Sequence, residues 1–201
     1  MCIILPSSIR ERNGMNSAHK PPKITIQNVV ASAMIKQEID LYAIVNAIPN
    51  VEYRPEIFPG LALKIKHPKS CVLIFNTGKM VCTGAKSVDE SFNVVKKVID
   101  QLRKAGIIST DKFEFKVQNI VASVDLGNVT IDIERIVYTI RKRIMYEPEQ
   151  FPGAIYRMDD PKVVFLIFSS GKLVCAGAKR EGEIYRAVDK LISILKDAGG
   201  L

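Results

Sequence analysis

From residue 23 onward the chain is patterned like a folded α+β protein. Residues 23–33 alternate and are rich in Ile and Val, which predicts a strand. Asp40 is placed to cap a short helix running to about Ala47. Asp132 is placed to cap a helix over 133–144, with Ile136, Ile140 and Ile144 on one face. Short strands are expected near 51–54, 61–66, 70–75 and 79–85, separated by Pro-Gly and x-Gly-Lys turns. Ser87-Val-Asp-Glu90 reads as a capping box in which hydroxyl and carboxylate satisfy each other's amides. The helix it opens carries Phe92, Val95, Ile99 and Leu102 as one stripe and stops at Gly106. Ile184, Val188, Leu191 and Leu195 form the same stripe before Gly199-Gly200. Residues 1–22, with Pro6, Gly14, Pro21 and Pro22 and little periodicity, are expected to be a flexible arm, possessing only Arg10, Arg12 and Lys20 as phosphate-seeking groups.

The pattern occurs twice. Ile26-Gln-Asn-Val-Val-Ala-Ser32 returns as Val117-Gln-Asn-Ile-Val-Ala-Ser123, 91 residues later. Phe58-Pro-Gly60 returns as Phe151-Pro-Gly153, and Phe75-x-x-Gly-Lys-x-Val-Cys-x-Gly-Ala-Lys86 as Phe168-x-x-Gly-Lys-x-Val-Cys-x-Gly-Ala-Lys179, both 93 residues later. Between 56–86 and 149–179, 16 of 31 positions are identical, so the chain is a tandem duplication. The expected organisation is an arm at 1–22, a first repeat at 23–106, a linker at 107–113 and a second repeat at 114–199. Each repeat reads strand, helix, four strands, long helix. Two copies suit a pseudo-two-fold molecule whose natural partner looks alike from both ends, as duplex DNA does.

The helices can cover only one face of the sheet, and strand parity says what the other carries. Lys79, Val81, Thr83 and Ala85 should share a side, as should Lys69, Cys71, Leu73 and Phe75. A largely apolar free face marks an interaction surface; the alternative is burial between two helix layers. Phe58 and Phe151 precede Pro-Gly, and Phe75 and Phe168 end strands before a turn. Each is explicable as core or as a hydrophobic lid. As a repeated set, they could instead wedge between base steps and kink a duplex. Asn28 and Asn119 sit among Ile and Val, where Asn is a poor strand former. Either each bonds locally to backbone, or the pair donates to minor-groove acceptors. Lys64/Arg157, Lys79/Lys172 and Lys86/Lys179 recur with the repeat and could frame such a groove through phosphate contacts.

Composition narrows the classes. The chain has 201 residues, 47% of them hydrophobic, and 29 basic against 21 acidic residues give a net charge of +8. That excludes a disordered or collagen-like chain and fits a polyanionic partner. The longest apolar run, Val163–Phe168, falls far short of the roughly 18 residues that span a bilayer. A soluble, intracellular protein is expected, with reduced thiols: Cys2, Cys71, Cys82 and Cys175 form no C-x-x-C pair, and no Cys/His cluster has zinc spacing. No cofactor is expected, and no paired acids or activated nucleophile suggest an enzyme. A nucleic-acid-processing enzyme, supported only by the poorly spaced Gly84-Ala-Lys86-Ser87, and a protein-binding scaffold are the alternatives.

The duplicated I-Q-N-V-V-A-S/V-Q-N-I-V-A-S, F-P-G and F-x-x-G-K-x-V-C-x-G-A-K motifs resemble the TATA-box-binding protein family of archaea and eukaryotes over about residues 22–199, and Pro-Gly in both turns looks archaeal. The resemblance implies a saddle of ten antiparallel strands with four helices on its convex back. Its concave side would hold the minor groove of an A/T-rich promoter element in double-stranded DNA. Phe58 with Phe75, and Phe151 with Phe168, would be the intercalating pairs. Asn28, Asn119 and Thr83 would be the central polar readers, and Val30, Val81, Val121, Val174, Leu73 and Leu166 the apolar floor. Glu147, Glu149 and Gln150 would meet transcription factor B and through it RNA polymerase, in an archaeal cytoplasm or nucleoid, or in a nucleus if the chain is eukaryotic. The sequence departs from the family at Ala176, where a threonine is usual, and at Lys64, where an arginine is usual. Cys71 is expected on the DNA-facing side, with Cys82 and Cys175 on the helix side.

Overall fold

The computed structural model describes residues 21–141 and 143–201, so the arm expected at 1–22 lies almost wholly outside the described residues. The first repeat comprises β1 (Lys23–Met34), α1 (Leu41–Ala47), β2 (Val51–Glu52), β3 (Leu61–Ile65), β4 (Ser70–Ile74), β5 (Lys79–Ala85) and α2 (Val88–Lys104). The second repeats the order as β6 (Glu114–Asp125), α3 (Ile133–Thr139), β7 (Ile144–Met145), β8 (Ala154–Met158), β9 (Val163–Ile167), β10 (Lys172–Ala178) and α4 (Glu181–Asp197). All ten strands join one antiparallel sheet in the order β2-β3-β4-β5-β1-β6-β10-β9-β8-β7. That order is a palindrome about the β1/β6 seam, where two 12-residue strands pair from Lys23↔Asp125 to Met34↔Glu114.

The four helices lie on one face, over two apolar cores. Ile35, Ile44, Leu61, Ile74, Met80 and the α2 residues Val95, Ile99 and Leu102 build the first. Ile120, Ile136, Phe165, Ile167 and the α4 residues Ile184, Leu191 and Leu195 build the second, to which Val29 of β1 also belongs. Side chains alternate accordingly: in β4 and β9, Val72, Ile74, Phe165 and Ile167 are fully buried, while Leu73 and Leu166 are only partly covered. The second face is therefore open, and burial between two helix layers is excluded.

Local expectations needed four corrections. The α3 helix stops at Ile140 rather than reaching 144, because Ile144 leaves to pair with Tyr156 at the sheet edge. Phe92 does not join the core stripe of α2; it is 40% exposed and packs on Phe113 and Phe115. The Ser87 hydroxyl does accept from the Glu90 amide, but the Glu90 carboxylate accepts from the Lys86 amide rather than that of Ser87. Ala85 faces the core, not the open side. The cause is a bulge: Gly84, with φ of +98°, shifts the β1/β5 register between Val29 and Ala31, and the parity of β5 reverses there.

Candidate nucleic-acid interface

The open face is built from the strand positions left over by the cores. At its two ends lie the phenylalanine pairs. The Phe58 and Phe75 rings meet edge to face at 5.8 Å and 69°, and Phe151 and Phe168 at 5.8 Å and 65°. Phe58 is 41% exposed and Phe151 38%, so neither is a core residue. Both are held by the same turn: the Phe58 amide donates to the Arg54 carbonyl and the Phe151 amide to that of Glu147, each at 2.9 Å. The glycines of the two Phe-Pro-Gly motifs seat the rings. A Cβ on Gly60 would stand 2.6 Å from Phe58 and 2.9 Å from Phe75; one on Gly153 would stand 2.8 and 2.9 Å from Phe151 and Phe168.

Between the pairs the floor is apolar. Val81, Leu73, Val174 and Leu166 line it, with Val81↔Leu73 and Val174↔Leu166 directly opposite across the ladder. Val30 and Val121 stand beside the seam, opposite Asn119 and Asn28 respectively. Cys71 lies on this face, and burial pushes its thiol up, keeping it protonated and suited to an apolar floor. Cys82 and Cys175 are buried on the helix side, where desolvation pushes Cys175 up to about 12.

The two asparagines make the local backbone bond weighed for them. The Asn28 Oδ1 accepts from the Gly84 amide and the Asn119 Oδ1 from the Gly177 amide, each at 2.7 Å. These bonds clamp the two bulges, where only glycine takes the φ of +98° and +110° without strain. They also fix the amide orientation: with Oδ1 spent on a backbone donor, each Nδ2 is the group left to donate outward. Adenine N3 and thymine O2, the acceptors in an A/T minor groove, need donors. Asn28 Nδ2 lies 3.3 Å from the Thr83 hydroxyl, a contact that Ala176 denies to Asn119.

The structure adds residues that parity hid. Register shifts on the seam between Ile26 and Asn28 and between Val30 and Ala31 place Gln27 and Gln118 beside the open centre. The Gln27 amide donates to Ser123 Oγ at 2.7 Å and that of Gln118 to Ser32 Oγ at 2.6 Å, two links between the repeats. Both glutamines stand inside the duplicated motif, so the repeat itself was the signal. The cations are exposed but not equivalent. Lys79 and Lys172 open β5 and β10, with Lys172 bordering a depression shared with Thr25, Ser123 and Phe168. Lys86 and Lys179 stand at the strand-to-helix turns. Arg157 projects from β8, whereas its counterpart Lys64 is tied to Glu52 at 3.1 Å. Glu147, Glu149 and Gln150 are exposed in the turn before Phe151, well separated from the seam in the strand order.

Two repeats with this fold, this floor and these ring pairs can be compared with known proteins. The model of the family described as transcription factor TFIID (or TATA-binding protein, TBP) matches residues 23–105 and again 114–198. The chain belongs to the TATA-box-binding protein family. It is 50% identical over 172 residues to the TATA-box-binding protein of Sulfolobus acidocaldarius, covering 86% of each chain. Against that of Archaeoglobus fulgidus it is 47% identical over 178 residues, 88% of this chain and 97% of the other. The solved structure of Methanococcus jannaschii TBP superposes with a TM-score of 0.81 at 46% identity, covering 87% of this chain and 99% of that one. The family consists of transcription factors, not enzymes, which removes the enzyme alternative. No helix among the described residues is long and apolar enough to cross a membrane.

Proposed function

We propose that the protein is a general transcription initiation factor that binds the minor groove of a TATA-box element in double-stranded promoter DNA, kinks it, and presents the result to transcription factor B and thereby to RNA polymerase. The observation that carries this reading is the pair of edge-to-face phenylalanine couples, seated alike at both ends of one open apolar face. Apolar wedges at two ends of a concave surface unstack two base steps, a mode for which this family is itself the familiar example. The widened groove then lies on the floor of Val30, Val81, Val121, Val174, Leu73 and Leu166. This floor is complementary to A·T edges and leaves no acceptor for the guanine N2 amino group. Asn28, Asn119 and Thr83 supply the few polar contacts. Lys64, Arg157, Lys79, Lys172, Lys86 and Lys179 meet phosphates and position the duplex. Since bending and unstacking cost energy that depends on sequence, flexible T/A steps are selected at positions no side chain touches.

The second turn supports a protein partner. It shares the backbone of the first, yet it carries Glu147, Glu149 and Gln150 where the first carries Arg54, Glu56 and Ile57. An acidic knob beside a basic DNA-binding face is a place for a basic surface that also follows the DNA. The combined substitution Phe151→Ala, Phe168→Ala tests the wedge: the protein should still fold, and the bend in a doubly end-labelled TATA duplex should fall. A bend equal to the parent's would remove the wedge role. Glu147→Arg should leave DNA binding intact and weaken the ternary complex with transcription factor B about tenfold or more, the scale of a lost charged contact. Unchanged ternary assembly would move the partner surface elsewhere.

A further inference from the structure

The open face carries an acid beside one of its cations. Glu52 pairs with Ala62, whose strand also carries Lys64 two residues on, so parity places Glu52, Ala62 and Lys64 on the same side as Leu73 and Cys71. Its carboxylate accepts a hydrogen bond from Lys64 Nζ at 3.1 Å and lies 3.6 Å from Arg54 Nε. Those two cations, the Lys64 bond first, hold its pKa below the ordinary glutamate value. The second repeat has no such arrangement. The residue equivalent to Glu52 is Met145, which pairs with Ile155 on the same side, and Arg157 replaces Lys64. Among the described residues, Arg157 makes no ion pair; the neighbouring Asp159 is bound to Arg143 instead.

We infer that Glu52 restrains the phosphate grip of the first repeat by engaging Lys64, so that the complex is held more tightly by the second repeat and has a built-in polarity. The inference rests on the proposal that this face receives DNA. Physically, a phosphate approaching Lys64 must displace a carboxylate already bonded to the ammonium, and it then faces that carboxylate with only Arg54 left to offset its charge. At Arg157 a phosphate meets a planar, unengaged guanidinium that can bind it in bidentate fashion. The gain in counterion release at the first end is therefore largely cancelled, while at the second it is realised in full. Two ends whose equivalent cations are so differently engaged give a near-symmetric saddle a preferred strong end without any change of fold.

The test is the salt dependence of binding to a TATA duplex, measured with the full chain and with E52Q, K64A, R157A and E52Q/K64A. All three positions are exposed, so the variants should fold alike, and circular dichroism checks this. Each phosphate contact contributes about 0.9 to the slope of log affinity against log salt, which is about 3.5-fold in affinity between 50 and 200 mM. R157A should lose that increment and K64A almost none. E52Q should gain it, and adding K64A to E52Q should take it away again. Equal losses for K64A and R157A, with E52Q unchanged, would overturn the inference while leaving DNA binding on this face intact. Absence of salt-sensitive binding by the parent chain would overturn the proposed function, and the inference with it.

Discussion

The seating of the ring pairs makes a sharp prediction at Gly153. A methyl group there would stand 2.8 Å from Phe151 Cε1 and 2.9 Å from Phe168 Cε1, whereas ordinary contact begins at 3.4 Å. Each ring edge must therefore retreat by about half an ångström, or one ring must leave its rotamer. Unlike Gly84 and Gly177, Gly153 is not among the positive-φ residues, so alanine is acceptable to the backbone and the perturbation falls on the rings. The clash is also relieved toward solvent, because Phe151 is already 38% exposed. The folding cost should thus be the lost edge-to-face contact, about 0.5–1.5 kcal/mol. For a chain of this length, that lowers Tm by about 2–4 °C per kcal/mol. On the proposed wedge role the functional cost should be larger, since a displaced ring would no longer point at a base step. Gly153→Ala should bind a TATA duplex at least tenfold more weakly and bend it less in an end-to-end energy-transfer assay. Gly60→Ala should do the same at the other end. A Gly153→Ala protein with parental bending would refute the argument that this glycine aims the wedge. A protein that fails to fold would refute the claim that the strain is confined to the rings.

Two other substitutions probe the asymmetries of the duplication. Ala176→Thr should set a hydroxyl beside Asn119 as Thr83 stands beside Asn28, tightening TATA binding by up to about fivefold, the equivalent of one hydrogen bond of about 1 kcal/mol; an identical Kd would show that the missing hydroxyl is irrelevant. Asp160 accepts from Lys190 at 2.8 Å and from Arg186 at 2.9 Å, tying α4 to the β8–β9 turn, and these bonds, that of Lys190 first, hold its pKa down. A depressed carboxylate stabilises the fold above its unfolded pKa, about 3.9, and that contribution is lost as pH falls through the folded value. Asp160→Asn should therefore lower Tm slightly at pH 7 and progressively less below pH 4; a difference independent of pH would show that charge is not the cause.

Much of this was legible in the residues because the chain states it twice. Alternation in 70–75 assigned Leu73 and Phe75 to one side and Val72 and Ile74 to the other without ambiguity, since β4 is unbroken. Asp40 and Asp132 marked two helix starts, where their carboxylates accept from Tyr42, Ala43 and Arg135 amides. What escaped was non-local. Ile136, Ile140 and Ile144 have helical spacing, but pairing with β8 claims Ile144, and the signal against the longer helix lay in the other repeat, where the strand expected near 51–54 corresponds to β7. Parity failed wherever a bulge intervened. Gly84 reversed the side of Ala85, and shifts near Gln27 and Gln118 brought both glutamines to the centre. Glu52 carries no signal of its own in the sequence, because its meaning lies in what it bonds, and Lys64 reaches it from the neighbouring strand.

The central claim is that this face reads and bends A/T-rich duplex DNA. The most direct measurement is binding and bending of a short duplex carrying a T/A octamer, against a G/C-rich control, at two salt concentrations. Tight, A/T-selective binding that weakens steeply with salt and is accompanied by a sharp bend is the predicted result. Binding that ignores both sequence and salt, or binding without a bend, would contradict the account and leave the open face as a surface for a protein partner.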